Sequence, residues 1–262
     1  MVWVPFLLLG IGEGWRTLRN RKAAEAGQGS GTVGIVIPTL NAGDFLEKCL
    51  LSIQDSSSLP DQCVVVDGGS HDQTVDLARS RGVEIAEAKT GRGSQIEAGI
   101  RKLKTEWVLI LHADCMIHPD AIAMIRSLDW ECAGGACGQR FAPGGPLLTV
   151  VEFMNEGRAV QGESYWGDQG QFFRRDQEGV WRGLSAYPLM EDVELSRRLR
   201  RSGETRYLGL ETKTGTASWA PGRRRDRILL VFRAVITFRV AALCGKGREA
   251  SRRLYREYYG SS

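Results

Sequence analysis

Residues 107–116 read WVLILHADCM: five apolar residues in succession, then a histidine at 112 and an aspartate at 114. An apolar run of this length, without polar alternation, fits a strand covered on both faces. It delivers a carboxylate where it ends. Such a group serves either the turn or a ligand, and the flanking segments must decide between them.

Upstream, VGIVIPTLN (33–41) is rich in β-branched residues, QCVVVD (62–67) is a second buried strand and VEIAEA (83–88) a third. Helical patterns lie between them. GDFLEKCLLSIQ (43–54) has apolar spacing through Phe45, Cys49 or Leu50, and Ile53. HDQTVDLARSRG (71–82) has Asp72 or Ser70 near its N-cap and Gly82 closing it. GSQIEAGIRKLK (93–104) precedes the opening stretch, and HPDAIAMIRSL (118–128) follows it with Pro119 in the first helical turn. Strands alternating with helices imply βαβ units, a parallel sheet and right-handed crossovers. The rhythm loosens after Leu128: a glycine-rich stretch (133–145), a helix near 146–160, then YWGDQGQFFRR (165–175) and YPLMEDVELSRRLRRSG (187–203). Two short strands are expected at TRYLGL (205–210) and KTGTASW (213–219).

In an open parallel sheet, ligands bind beyond the carboxyl ends of the strands. Three strands here end in polar residues, at Pro38–Asn41, Asp67 and Asp114, and together would line one cleft. Asp67, followed by Gly68 and Gly69, either accepts hydrogen bonds from a ligand or satisfies the backbone of a turn. Asp114 is most naturally a ligand for Mg²⁺ or Mn²⁺, which bridge one or two carboxylates to phosphates. His112, two residues earlier on an extended chain, would point to the same side, where it either flanks the ion or is simply a satisfied histidine at the strand end. TGRGSQIEAG (90–99) fits neither phosphate-loop spacing, which leaves Arg92 as either an anion contact or a solvated arginine. Glu191, Asp192 and Glu194 open a helix that ends in arginines, as the helix dipole favours. The apolar Pro188-Leu189-Met190 approach would also desolvate these acids towards useful base strength.

The chain of 262 residues, 42% hydrophobic, is long enough for one sizeable α/β domain. None of its six cysteines forms a C-x-x-C pair, which points to reduced thiols in a cytosol-like compartment. From Arg197 to Glu257 there are 17 Lys/Arg against 5 Asp/Glu, so the rest of this +4 chain carries −8. The basic tail favours phosphate or an anionic membrane surface over nucleic acid, because no base-stacking aromatic motif accompanies it. ILLVFRAVITFRVAAL (228–243), preceded by RRRDR (223–227), is short for a spanning helix and carries two arginines. An interfacial helix contacting a membrane or a partner subunit through 223–243 fits better, with packing on the domain as the plain alternative. Residues 1–30 form an extension that matches no element of the domain, either a targeting or anchoring segment or a disordered one. The expected division is therefore 1–30, a main domain at 31–220, and a basic amphipathic helical segment at 221–262.

Taken in order, IVIPTLN (35–41), VVVDGGSHDQT (64–74), LHAD (111–114) and MEDVELSRRLR (190–200) resemble the family-2 glycosyltransferases of GT-A type, over about Val33 to Trp219. GRGSQIEAG (91–99), WGDQGQFFRR (166–175) and PLMEDVEL (188–195) look closest to the subgroup found near radical-SAM and selenoprotein-domain genes. The resemblance implies a GT-A-like, Rossmann-like and mostly parallel sheet, a UDP- or GDP-sugar donor, a divalent metal and inversion at the anomeric carbon. By position, Pro38 and Asn41 would lie by the nucleotide and Asp67 would contact its base or ribose, with Arg92 and Asp114 on the donor side. Asp114 would be the metal aspartate of the D-x-D-like element, Asp192 the general base with Glu191 beside it. Gly167, Asp168 and Gln169 would form the loop facing sugar or acceptor. Two positions depart from the pattern: Gly68 stands where many members carry a second Asp, and His112 replaces the first Asp of D-x-D. A sugar-phosphate nucleotidyltransferase is the rival enzyme, although PTLNAGDF (38–45) lacks the lysine of its phosphate loop. A non-catalytic nucleotide-sugar-binding protein of the same fold is the other rival. The expected location is cytoplasmic, peripheral to a membrane.

Overall fold

Val33, Ile35 and Ile37 turn to one side of the first strand and Val36 to the other, and all four are fully buried. The same two-sided burial recurs in the neighbouring strands, so helices must cover both faces of the sheet. The computed structural model describes residues 31–162, 164–215 and 224–259. The elements are β1 (Val33–Thr39), α1 (Gly43–Gln54), β2 (Gln62–Asp67), α2 (Thr74–Ser80), β3 (Glu84–Glu87), α3 (Arg92–Lys102) and β4 (Trp107–Ile110). Then come β5 (Cys115–Met116), α4 (Ala121–Arg126), β6 (Cys132–Ala136), β7 (Gln139–Ala142), α5 (Pro146–Gly162) and β8 (Gln171–Arg174). The chain continues through α6 (Glu178–Trp181), α7 (Glu191–Ser202), β9 (Glu204–Tyr207), β10 (Thr212–Gly215), α8 (Arg224–Leu243) and α9 (Gly247–Tyr259).

Seven strands form one sheet in the order β3-β2-β1-β4-β8-β6-β9, and β5-β10-β7 form a second, smaller one. Within the larger sheet only β8 runs against its neighbours. The α/β, mostly parallel architecture expected from the sequence is therefore observed. One face packs on α1, α2 and α4 through Leu46, Cys49, Ala78 and Ile122. The other packs on α3, α6 and α7 through Ile96, Ile100, Trp181 and Leu199. The chain order reverses between β1 and β4, which places the crevice for ligands beyond their carboxyl ends.

Pro38 sits inside β1 without harm to the ladder. Leu111 N–H donates to Val36 O at 3.0 Å, so residues 36 and 38 present their backbone groups to the β4 side. Beyond that bond β4 has ended, and the missing proline N–H has no partner to lose.

Several local expectations shift. Leu46 rather than Phe45 enters the core from α1, because Phe45 lies at the edge of the apolar arc and is only half-buried. Asp72 precedes α2 by two residues; its Oδ1 takes Thr74 N–H at 3.0 Å and its Oδ2 takes Gly43 N–H at the start of α1, also at 3.0 Å. One aspartate thus ties two helix starts together. The C-terminal segment is two helices rather than one, and α8 buries Ala234 and Phe238 against Tyr187, Leu189, Met190 and Val193. Packing on the domain therefore occupies one side of α8. No helix among the described residues is long and apolar enough to cross a membrane. Residues 1–30 lie outside the described residues, as does Arg223, and the expectation for the extension rests on sequence alone.

Candidate active site

The histidine and aspartate that end the β4 run do not continue the strand. Cys115 N–H donates to His112 O at 3.0 Å, closing a turn over Ala113 and Asp114. This corrects the expectation that His112 and Asp114 share one side of an extended chain. Asp114 is pinned from β10, where Gly215 N–H donates to its backbone carbonyl at 2.8 Å. Its carboxylate Oδ1 lies 3.6 Å from the Cys115 thiol. The His112 ring instead packs against Gly167: a Cβ placed there would come within 2.5 Å of Cε1 and 2.6 Å of Nε2. Burial, with the Arg92 charge added, pulls His112 down to about 4, so the ring is neutral at pH 7 even with Asp114 and Asp192 nearby. Its Nε2 is buried without a hydrogen-bond partner among the described residues.

The antiparallel strand β8 explains why residue 167 arrives here. Because it runs opposite to β4, its beginning lies beside the end of β4, and the 3-10 turn Gly167–Gln169 that feeds it lands at the crevice. Gly167 N–H donates to Asp192 Oδ2 at 2.9 Å, while Asp192 Oδ1 takes Val193 N–H at 2.8 Å. Both oxygens of the half-buried Asp192 are thereby oriented. Asp168 Oδ2 accepts from Gln139 Nε2, and its Oδ1 is buried with no partner from another residue among those described. Burial, then the charges of Asp192 and Asp114, pushes the Asp168 carboxyl up to about 7 against the opposing pull of Arg158. Gln169 is fully buried; its side-chain oxygen accepts Trp166 N–H at 2.8 Å and so shapes the loop from within.

Glu191 is 1% exposed, and its Oε1 lies 3.0 Å from Arg92 Nε. Burial raises its carboxyl to about 7; Arg92 opposes this and Asp192 adds to it. Arg92, at the first position of α3, is held strongly protonated by Glu191 and Asp192 in spite of its own desolvation. The glycines around it serve packing. A Cβ on Gly93 would fall 2.1 Å from Leu184 O and 2.3 Å from Tyr187 O, so α3 can start there only without a side chain.

At the other end of the crevice, Asp67 is 5% exposed and already engaged: its Oδ2 accepts Gly69 and Ser70 N–H, both at 2.9 Å, and its Oδ1 the Ser70 hydroxyl. Ser70 Oγ in turn accepts Asn41 N–H at 2.8 Å, and Asn41 Oδ1 takes His71 N–H at 2.9 Å. Asn41 has a positive φ of 49°, which asparagine tolerates. These bonds lock the β1–α1 and β2–α2 loops side by side. Gln95 adds a buried brace, its Nε2 donating to Thr39 O at 2.6 Å and Val66 O at 3.0 Å.

His112, Asp114, Asp168, Asp192, Glu191 and Arg92 thus share one electrostatic neighbourhood, and Pro38, Asn41 and Asp67 line a second at the ends of β1 and β2. Among the described residues no group of three or more His, Cys, Asp or Glu side chains is placed to hold a metal ion by itself. Four contributors were not read from the sequence. Arg158 of α5 lies 3.7 Å over the Trp166 ring, and burial lowers it to about 10. Gln139 holds Asp168. Tyr258 and Tyr259, at the end of α9, feel the charge of Arg92. None of these carries a spacing signal, because they reach the site from three separate elements, α5, β7 and α9. Only the Tyr-Tyr pair at the end of a basic helix was conspicuous in the string.

An open, mostly parallel sheet with a ligand crevice at its order reversal and a cluster of acidic side chains beside it is the setting of a ligand-binding α/β enzyme. The family model for glycosyl transferase family 2 matches residues 34–227, and the chain belongs to that family. Membership sets aside the nucleotidyltransferase reading. A PGL/p-HBAD biosynthesis glycosyltransferase of Mycobacterium bovis is 32% identical over 105 residues, which cover 37% of this chain and 41% of that protein. The chain thus spans well under half the length of the curated relatives it matches. Among solved structures, mannosyltransferase PcManGT from Pyrobaculum calidifontis, in complex with GDP-Man and Mn²⁺, superposes with a TM-score of 0.62 and 18% identity. That match covers 97% of this chain and 79% of the other. S. aureus TarS 1-349 in complex with UDP gives a TM-score of 0.51 at 16% identity, covering 70% and 57% respectively. At these identities the likeness is one of fold.

Proposed function

We propose that the protein is an inverting, metal-dependent glycosyltransferase that moves a sugar from a UDP- or GDP-sugar to an acceptor hydroxyl or phosphate. The observation that carries this reading is the convergence of Asp114, Asp168 and Asp192 around the Gly167 turn at the end of β4. The transferase domain is taken as 31–220, with 221–262 as a helical appendage. The ligands of the solved neighbours, GDP-Man with Mn²⁺ in one and UDP in the other, support the donor class.

The donor set suits Mg²⁺ or Mn²⁺. Asp114 and the unpartnered Asp168 Oδ1 would hold the ion as hard oxygen donors, with the buried, unpartnered His112 Nε2 beside them. When bound, such an ion offsets the negative charge that develops on the diphosphate leaving group. Arg92 supplies fixed positive charge on the same side. Pro38, Asn41 and Asp67 shape the nucleotide end, with Asp67 acting through the loop it braces. Asp192 Oδ2, oriented by Gly167 N–H, takes the acceptor proton as the acceptor oxygen attacks the anomeric carbon and the bond to the diphosphate breaks. Glu191 positions this carboxylate through its contact with Arg92. Gly167 and Asp168 face sugar or acceptor.

Titrating UDP and GDP with and without Mn²⁺, then screening sugar donors for hydrolysis and transfer, tests the donor and metal. Asp114→Ala should abolish the Mn²⁺ enhancement of nucleotide binding in a folded protein. Asp192→Asn should keep donor binding and lower turnover roughly 10²–10⁴-fold. Near-normal turnover in Asp192→Asn with a dead Glu191→Gln would transfer the base role to Glu191.

A further inference from the structure

Between Leu229 and Leu243 the unburied side of α8 carries an apolar strip. Leu229, Phe232, Ile236, Val240 and Leu243 are all exposed, Leu243 at 86% and Leu229 at 67%. At about 100° per residue these five fall on a strip about 80° wide, directly opposite the buried Ala234 and Phe238. An exposed apolar strip of this kind on a helix whose other side is already packed marks an interaction surface. Val150, Phe153 and Met154 of α5 are likewise half exposed, and the two helices are tied where Arg239 of α8 donates to Ser164 Oγ just past α5, at 2.6 Å.

We infer that α8 and α9 form a docking surface for an anionic phospholipid membrane. The choice of occupant rests on charge. Helix α9, packed against α8, exposes Arg248, Arg252 and Arg256 at four-residue spacing, hence along one face. Arg233 edges the apolar strip with a side chain 74% exposed that lies 3.5 Å from Glu257 of α9, so the excess of positive charge comes from the α9 arginines and from Lys246, exposed at the turn between the helices. An apolar strip beside a row of bases matches the acyl boundary and the negative headgroups of such a surface. A second copy of the chain fits less well, because a two-fold interface would set a patch with a surplus of arginines against the same surplus on the other copy. Among the described residues no helix, α8 included, is long and apolar enough to cross a membrane. This inference concerns where the protein works and stands independently of the donor and metal assignments.

The test is flotation of the full chain with vesicles of phosphatidylcholine alone and of phosphatidylcholine mixed with phosphatidylglycerol. Binding should require phosphatidylglycerol and weaken as salt is added. Ile236→Asp with Val240→Asp should reduce partitioning at least roughly tenfold. Arg252→Ala with Arg256→Ala, which touches only exposed positions and so guards against misfolding of the first variant, should reduce it roughly 25-fold. Absence of flotation, or flotation indifferent to both variants, would overturn the inference. So would a dimer in sedimentation that the Ile236→Asp, Val240→Asp variant dissociates.

Discussion

Gly167 carries more of the site than its size implies. Its N–H orients Asp192, and its bare Cα lets the His112 ring lie against it. Gly167→Ala should leave the fold intact but push the ring and the carboxylate apart, and transfer should drop by roughly 10²-fold, as small displacements of a reacting group do. Comparing turnover and circular dichroism of the variant would check this; unchanged turnover would separate the turn from the chemistry. Glu191 gives a second residue-scale expectation, in pH. Its carboxyl is raised from 4.5 to about 7 in the fold, so between those values the native state holds a proton that the unfolded chain releases. Stability from this group is therefore greatest below about pH 4.5, falls as pH rises through the window, and levels off above about 7. Denaturant midpoints of the native protein should decline more between about pH 5 and about pH 7.5 than those of Glu191→Gln. Equal slopes in the two proteins would mean that the buried pair with Arg92 does not titrate there.

The elements show which parts of the sequence spoke plainly. β1, β2 and β4 declared themselves because uninterrupted apolar runs are hard to place anywhere but a two-sided sheet, whereas the edge strand β3, EIAE, was marked only by its place in the alternation of strands and helices. Phe45 misled because a bulky aromatic next to Leu46 competes for the same helical arc, and only packing decides between them. The GRGSQ segment looked like an anion loop in composition, whereas Gly93 is there because α3 begins against the carbonyls of Leu184 and Tyr187. Gly93→Ala should consequently cost about 1–3 kcal/mol of stability or more, the penalty of overpacking against backbone. Chemical denaturation would measure it, and a neutral result would return the glycine to a ligand role. The strand ending in Asp114 was legible from its own residues, whereas the loop at 167–169 came only from the family resemblance. Nothing in WGDQG (166–170) announces that an antiparallel strand will carry it back to the same edge. Arg158 and Gln139 escaped for the same reason, each isolated in its own segment until the sheet is assembled.

For the molecule as a whole, thiol chemistry reads out how closed the interior is. Cys244 is exposed, while Cys49, Cys115, Cys132 and Cys137 are buried, and burial pushes Cys137 up to about 12. In the native protein an aromatic disulfide reagent should modify Cys244 quickly and the four buried thiols only after unfolding. Rapid reaction of several thiols would show that the sheet opens readily. The contact between α9 and the start of α7 has a temporal side. Ser251 Oγ donates to Leu189 O at 2.5 Å and accepts Leu189 N–H at 3.3 Å, directly before Met190, whose left-handed φ of 62° launches the helix bearing Glu191 and Asp192. On the ribosome, where domains form from the amino end as the chain is made, the β1–β4 half of the sheet can pair long before residue 251 exists. The helix start that bears Glu191 and Asp192 is clasped only when α9 emerges, so a nascent chain stalled ahead of it would hold the crevice without that brace. Synthesis itself thereby leaves this edge of the crevice unfastened until α9 has been added.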